Sequence, residues 1–389
     1  MNYILFDDQI VRKNLLPLTF TKPIADIRFG ILTMREKWER FLKASTSSLT
    51  ESYLSKKYPL VKSEVNILIN SSIIPTKELM AEIEALKTDE ALVGNTKVVA
   101  MKLSLENLEN LDSAETNEVK LQSETLCINN VWDLFSSLDK ALKLDFEMIT
   151  KGRASQKLSD TNRVIGTHPV FIEEGAQVEF SILNTTNGPI YIGKNAEVME
   201  SCSLRGPLAI GDHAVMKMGA KIYGPSSFGP YCKVGGEVNN SVMLGYSSKG
   251  HDGFLGNSVI GEWCNLGADT NTSNLKNTYD VVRIWNYGQE SFVSTGLQFC
   301  GLIMGDHSKS SINTMFNTGT VVGVNVNVFG TGFPRQFIPS FSWGGPSGYK
   351  KYNFKKSVEV AKRVFARRNK EFDKVEQDIL KTVYEATLL

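Results

Sequence analysis

The sequence predicts three parts: an α/β domain over residues 1–155, a parallel β-helix over 160–345 and an amphipathic helix over 350–389. Three observations carry this. The first part mixes strand-like and helix-like apolar patterns, the second repeats an apolar residue every six positions, and the third repeats one every seven.

In the first part VNILINSSI (65–73) reads as a buried strand and TKELMAEIEAL (76–86) as an amphipathic helix. After Lys151, glycine, asparagine and short β-branched runs take over, which puts a boundary near 150–165. Ile192, Val198, Leu204, Ile210, Met216, Ile222, Phe228 and Val234 then stand six apart. The register returns at Ile260 and Leu266 and again at Met304, Phe316, Val322 and Val328, with Ser310 the small occupant between. Glycine follows several of them, as in Ile192-Gly193, Ile210-Gly211 and Val322-Gly323. An apolar residue every six positions, followed by one that tolerates unusual backbone angles, describes short strands stacked as triangular coils. The register is interrupted from Asn240 to Phe254, and a break in so regular a wall predicts a projecting loop. In the third part Val358, Phe365, Phe372 and Ile379 recur every seven, and Val375 and Val383 widen the stripe of a single helix. Its basic cluster, Lys362, Arg363, Arg367, Arg368 and Lys370, reads as a solvated face, with an anion-facing wall as the alternative.

Composition sets the outer limits. With 389 residues, 42% hydrophobic and 22% charged, the chain has material for a large core, and a net charge of +1 argues against attraction to nucleic acid or an anionic membrane. No apolar run approaches the roughly 18 residues of a spanning helix, and NYILFDD after Met1 lacks the features of a signal peptide. A cytoplasmic protein with no membrane partner is expected. Its five cysteines are scattered without a CxxC, which predicts reduced, buried thiols and neither a disulfide nor a zinc site.

His251 lies inside the break, between Gly250 and Gly253. The stretch KGHDGFLGNSVIGEWCNLGADTNTSNLKN around it resembles the acetyl-transfer signature of the bifunctional sugar-1-phosphate acetyltransferase/uridylyltransferases, and the hexapeptide repeats resemble those of the left-handed β-helix acyltransferases. That resemblance implies acetyl-CoA as co-substrate, His251 as general base and Glu237, fourteen residues earlier, as the carboxylate behind it. It also implies Asn274 at the sugar amino group and Asn265 in the sugar pocket. Three positions depart from the pattern: Phe254 stands for a substrate-binding tyrosine, Asp269 for a glycine and Asn239 for a phosphate-gripping lysine. Lys221, Lys249, Lys276 and Arg283 are candidates to replace the lost cation, Lys276 and Arg283 foremost.

LLPLTFTKPIADIRFGILTMREKW (15–38) resembles the PLT-x-x-x-P-K-P segment of the sugar-1-phosphate nucleotidyltransferases. Those enzymes precede it with a glycine-rich phosphate loop, whereas LFDDQIVRKN here contains no glycine, so the domain reads as degenerate. Arg12, Lys13 and Lys22 are its nucleotide-binding candidates, and Asp7 or Asp8 would hold Mg2+ if nucleotidyl transfer survives. Taken together, these segments resemble the alternative GlmU-type family of Bacteroidetes. The resemblance implies an N-acetyltransferase acting on a small sugar phosphate, glucosamine 1-phosphate first, and assembled as a homotrimer. Uridylyl or thymidylyl transfer, alone or as a second activity, is the next reading, and non-catalytic binding of a nucleotide sugar is the third.

Overall fold

The computed structural model describes residues 2–95 and 97–387. Three walls of short parallel strands form a β-helix of about ten coils. The first wall runs from Arg163–Ile165 to Phe254–Gly256, the second from Val170–Ile172 to Phe337–Ile338, and the third from Gln177–Val178 to Ser342–Gly345. The period-six residues are the reason the coils close. Ile192, Val198, Leu204, Ile210, Met216, Ile222, Phe228 and Val234 are each at most 2% exposed and fill the interior, as do Ile260, Leu266, Met304, Phe316, Val322 and Val328. Each apolar side chain stacks on its counterpart one coil away, so every coil buries what its neighbour offers.

One corner of the coils carries a feature that periodicity does not reveal. His213, Tyr231, Tyr246, Trp263 and His307 all have φ between 54° and 64°, the left-handed region, and turn successive coils at the same corner. The first four stack face to face, with centroid separations of 4.7, 5.1 and 4.2 Å. Contact between rings offsets part of the cost of placing bulky residues in that region.

The expected loop at Asn240–Phe254 is not a loop. Glu237–Asn239, Val242–Gly245, Ser248–Lys249 and Phe254–Gly256 continue the three walls, and Val242 pairs with Ser227, fifteen residues earlier. The coil is shortened, which shifts the six-residue phase without breaking the hydrogen-bond ladder. The real excursion comes one coil later. Leu275 and Phe299 bridge its base, and between them an antiparallel hairpin, Arg283–Asn286 with Ser291–Ser294, leaves the corner that joins the first wall to the second.

Residues before the β-helix form a six-stranded mixed sheet, ordered 47–49, 2–6, 65–70, 98–104, 90–93 and 117–120, with helices including Met34–Leu42, Lys77–Ala85 and Leu138–Thr150. VNILINSSI and TKELMAEIEAL fold as their patterns predict. Leu15, Ile24, Phe29, Phe135 and Leu138 pack on the outer face of the second wall, against Tyr191, Ala209, Val242 and Val259, and the hairpin's Val282 and Ile284 close the same core.

The closing segment is two helices, Phe354–Ala366 and Lys374–Ala386, rather than one. Asn369 takes φ 53° after the first, and the Asp373 carboxylate accepts the backbone N–H of Glu376 at 2.8 Å to start the second. Both helices still bury the heptad stripe, and Phe365 stacks on Trp263 at 3.9 Å. The second wall is therefore covered by the α/β domain and the corner of the third by this helical arm. The first wall leaves Ile165, Ile182 and Tyr223 exposed, and Phe180 is exposed at the corner beside it. Among the described residues all five cysteines are free, and four are buried.

Candidate functional site

His251 stands at the corner between the third and first walls, exposed, and among the described residues none hydrogen-bonds to its imidazole. The backbone beneath it is held from inside the coil. Lys249 occupies an inward position, in register with Val234, where the repeat would place an apolar residue. Only 1% exposed, its ammonium donates to the carbonyl oxygens of His251, of Asp252 at 3.1 Å and of Gly235 at 3.4 Å. Burial lowers its pKa to about 8 against the opposing pull of Asp252 and Asp269. Lys249 is thus not a surface cation for a substrate phosphate but a strut under the His251 corner.

Glu237 lies on the adjacent coil at the same corner. Its N–H donates to the Gly253 carbonyl at 3.2 Å, and a Cβ on neighbouring Gly236, where φ is +70°, would come within 2.9 Å of the His251 carbonyl oxygen. Glycine here lets the two coils close together. The Glu237 carboxylate accepts from the Tyr223 hydroxyl at 2.5 Å rather than from His251. That bond, with burial adding to it, pushes the tyrosine pKa up to about 12. Tyr223, on the strand of the first wall that pairs directly with Glu237–Asn239, is a residue that sequence spacing did not single out.

Asn274 and Phe254 meet over Gly256, where a Cβ would lie 2.6 Å from each side chain, and the Asn274 amide donates to Asn257 Oδ1 at 2.8 Å. Lys221 projects outward from the first wall, paired in register with Glu237. Asn265 projects from the third wall, in line with Ser248 and Lys309. Lys276 and Arg283 fall elsewhere. They belong to the excursion at the opposite edge of the first wall from His251, Lys276 donating to Val281 O at 3.1 Å and Arg283 to Phe292 O. They were candidates only as cations near the signature in sequence, and the chain leaves the coil between the signature and Arg283.

The nucleotide-binding candidates are mostly engaged as well. Arg12 is buried in an ion pair with Asp7 at 2.7 Å and donates to Thr19 O. Lys22 is buried against Asp306, with Glu262 at 3.1 Å. Burial opposes its charge, but these two carboxylates outweigh it and hold its pKa above the ordinary lysine value. The TKP segment therefore fastens the α/β domain to the β-helix. Asp7 also accepts the Ile24 N–H at 2.9 Å and is fully engaged, while Asp8 caps the helix Gln9–Asn14 through Oδ1. Among the described residues no group of three or more His, Cys, Asp or Glu is arranged to hold a metal. Lys13 alone of the three cations is exposed.

Residues 3–154 match the family model described as sugar nucleotidyl transferase. The chain is 35% identical over 89 residues to the bifunctional protein GlmU of Methanocaldococcus jannaschii and 33% identical over 89 residues to that of Methanococcus aeolicus. Each match covers 23% of this chain, and the chain spans about a fifth (21%) of the length of these relatives. Among solved structures, the polySia-specific acetyltransferase NeuO aligns with 54% of this chain and 99% of its own, at 12% identity and a TM-score of 0.27. The Bacillus cereus N-acyltransferase AntD, in complex with dTDP and coenzyme A, aligns with 52% of this chain and 91% of its own, at 14% identity and a TM-score of 0.22. Over these stretches the chain is similar to the sugar nucleotidyl transferases and to GlmU. No helix among the described residues is long and apolar enough to cross a membrane.

Proposed function

We propose that this GlmU-like chain is an acetyl-CoA-dependent N-acetyltransferase acting on a hexosamine 1-phosphate, with glucosamine 1-phosphate the first substrate to test. One observation carries the reading: the segment that resembles the acetyl-transfer signature folds into a coil corner that presents an exposed imidazole, without a hydrogen-bond partner among the described residues, and a carboxylate on the next coil. Transfer forms a C–N bond to the sugar amine and breaks the thioester C–S bond. The amine nitrogen sheds a proton as it attacks, His251 accepts it, and the imidazolium returns it to the departing thiolate, so protons balance over the turnover. Glu237 sits one coil away, its charge tied to Tyr223, and acts electrostatically on the imidazolium rather than as a bonded partner. Asn274 and Phe254 line the wall on which the sugar would lie.

The same reading includes a homotrimer. The first wall is uncovered, and a hollow of about 460 Å³ there is lined by Ile165, Ile182, Asn184, Arg205, Lys221 and Tyr223. An exposed apolar strip beside a shallow catalytic corner is the kind of face a second copy would cover, deepening the pocket as it does so. Nucleotidyl transfer is the second reading, favoured by the family match over residues 3–154 and opposed by the internal pairing of Arg12 and Lys22. Two assays separate them. Glucosamine 1-phosphate with acetyl-CoA should release thiol, whereas N-acetylglucosamine 1-phosphate with UTP or dTTP and Mg2+ should release no pyrophosphate above background; the reverse pattern would make the second reading the right one.

A further inference from the structure

A groove of about 300 Å³ separates the helical arm from the outer face of the third wall. Its floor is one column of outward-facing side chains on successive coils: Lys233 pairs in register with Ser248, Ser248 with Asn265, and Asn265 with Lys309. Its roof is the end of the first arm helix, where Arg367 and Arg368 follow Phe365. The stack of Phe365 on Trp263 fixes that roof over that floor. Four cations line the groove, and no carboxylate does. Among the described residues none of Lys233, Lys309, Arg367 and Arg368 forms an ion pair; the only side-chain hydrogen bond from the four is from Lys309 to the His307 carbonyl, at 2.7 Å. The negative end of the helix dipole offers partial compensation to one arginine at most, since it amounts to roughly half a charge.

We propose that this groove is a binding site for a phosphate ester, held by Lys233 and Lys309 from the floor and by Arg367 and Arg368 from the roof. Lys233 lies within electrostatic range of Arg367 and Arg368, and unpaired cations at such range repel one another; a dianion removes that repulsion while guanidinium forks and ammonium groups satisfy its oxygens. Ser248 and Asn265, between the lysines on the floor, add neutral donors. Lys233 already registers the crowding. Burial lowers the Lys233 pKa and the nearby Arg368, Lys217 and Arg367 lower it further, while burial takes Lys309 to about 8. An anion in the groove favours the charged form of both amines.

The groove begins where the catalytic corner ends. A Cβ on Gly250, the neighbour of His251, would lie 3.8 Å from Lys233 Cβ and 3.4 Å from Ser248 Oγ. A phosphate held here belongs to a molecule whose other end can extend toward His251. Under the proposed function two substrates carry such a group, the sugar 1-phosphate and coenzyme A. The site itself rests on the charge arrangement, and only the choice between these two sources rests on the acetyl-transfer reading.

The test is binding by the full chain, measured apart from turnover. In phosphate-free buffer, titrations with inorganic phosphate, pyrophosphate, glucosamine 1-phosphate, coenzyme A and 3′-dephospho-coenzyme A are followed by calorimetry and by thermal melting. The wild type should bind at least one of the phosphate esters, and its Tm should rise with ligand. Arg367→Gln/Arg368→Gln and Lys309→Gln should each weaken that binding tenfold or more. Without ligand the double variant should melt at or above the wild-type temperature, because it has lost repulsion and no contact. Weakening confined to glucosamine 1-phosphate assigns the site to the sugar, and weakening confined to coenzyme A but not its 3′-dephospho form assigns it to the 3′-phosphate. Wild-type melting unmoved by millimolar amounts of every probe, or variants that bind as tightly as the wild type, would overturn the proposal. Binding that depends on these residues in a protein that transfers no acetyl group would retain the site and reject the proposed function.

Discussion

Lys249 shows how a single residue ties the coil to the His251 corner. A neutral side chain of the same length would fit the core better, yet it would take the ammonium donor from the carbonyls of His251, Gly235 and Asp252, of which Asp252 alone keeps another among the described residues, the Asp269 N–H at 3.1 Å. Lys249→Met should therefore lower the acetylation rate by about 10- to 100-fold through misplacement of the imidazole. The pH dependence of stability carries a separate signature. The folded-state pKa of Lys249, about 8, lies below the ordinary value of 10.5, so between these two values the unfolded chain binds more protons and stability rises with pH. Below about pH 8 the group is charged in both states and the burial cost is present in full. The urea midpoint of the wild type should climb from pH 8 to pH 10, and the climb should be shallower in Lys249→Met. It should not vanish, because Lys309 is shifted in the same direction. Equal slopes in the two proteins would show that Lys249 is not the buried charge described here. Its role was not legible in the sequence, where a lysine beside a glycine-flanked histidine suggests a surface cation; only the register with Val234 turns it inward.

At the scale of elements, the period-six residues were legible because each coil depends on one buried side chain per wall, and spacing alone identifies it. The shortened coil at 240–254 misled because three residues fewer shift the apolar phase just as a loop would, although the ladder to Ser227 continues. The excursion at 275–299 was hidden for the opposite reason. Its strands, RIWN and SFVS, look like further coil strands but pair antiparallel with each other. The two-helix arm has a signal that a heptad count overlooks, Asp373 with Glu376 three positions on, the mark of a helix start. Asp373→Ala should cost about 1 kcal/mol, the usual worth of such a cap, read as a lower urea midpoint with an unchanged slope. No loss of stability would mean that the arm's second helix is held by its apolar face alone.

For the molecule as a whole, the arrangement leaves one wall open and engages the TKP lysine in fastening the halves together. Multi-angle light scattering at micromolar concentration should give three times the chain mass, and Ile182→Glu on the exposed wall should shift it toward one. A wild-type monomer across that range would contradict the trimer. The signature around His251 was readable because its glycines, asparagines and histidine are close in sequence, whereas the pairing of Lys22 with Asp306 spans most of the chain and no local pattern could announce it. The central claim is that chemistry resides at the His251 corner, and the most direct measurement is thiol release from acetyl-CoA and glucosamine 1-phosphate by wild type and His251→Ala, each with its melting temperature. Transfer by the wild type, with a rate lower by about 10² to 10⁴ in a variant that melts at the same temperature, is the predicted result. An alanine variant that melts as the wild type does and transfers acetyl at the wild-type rate would contradict it.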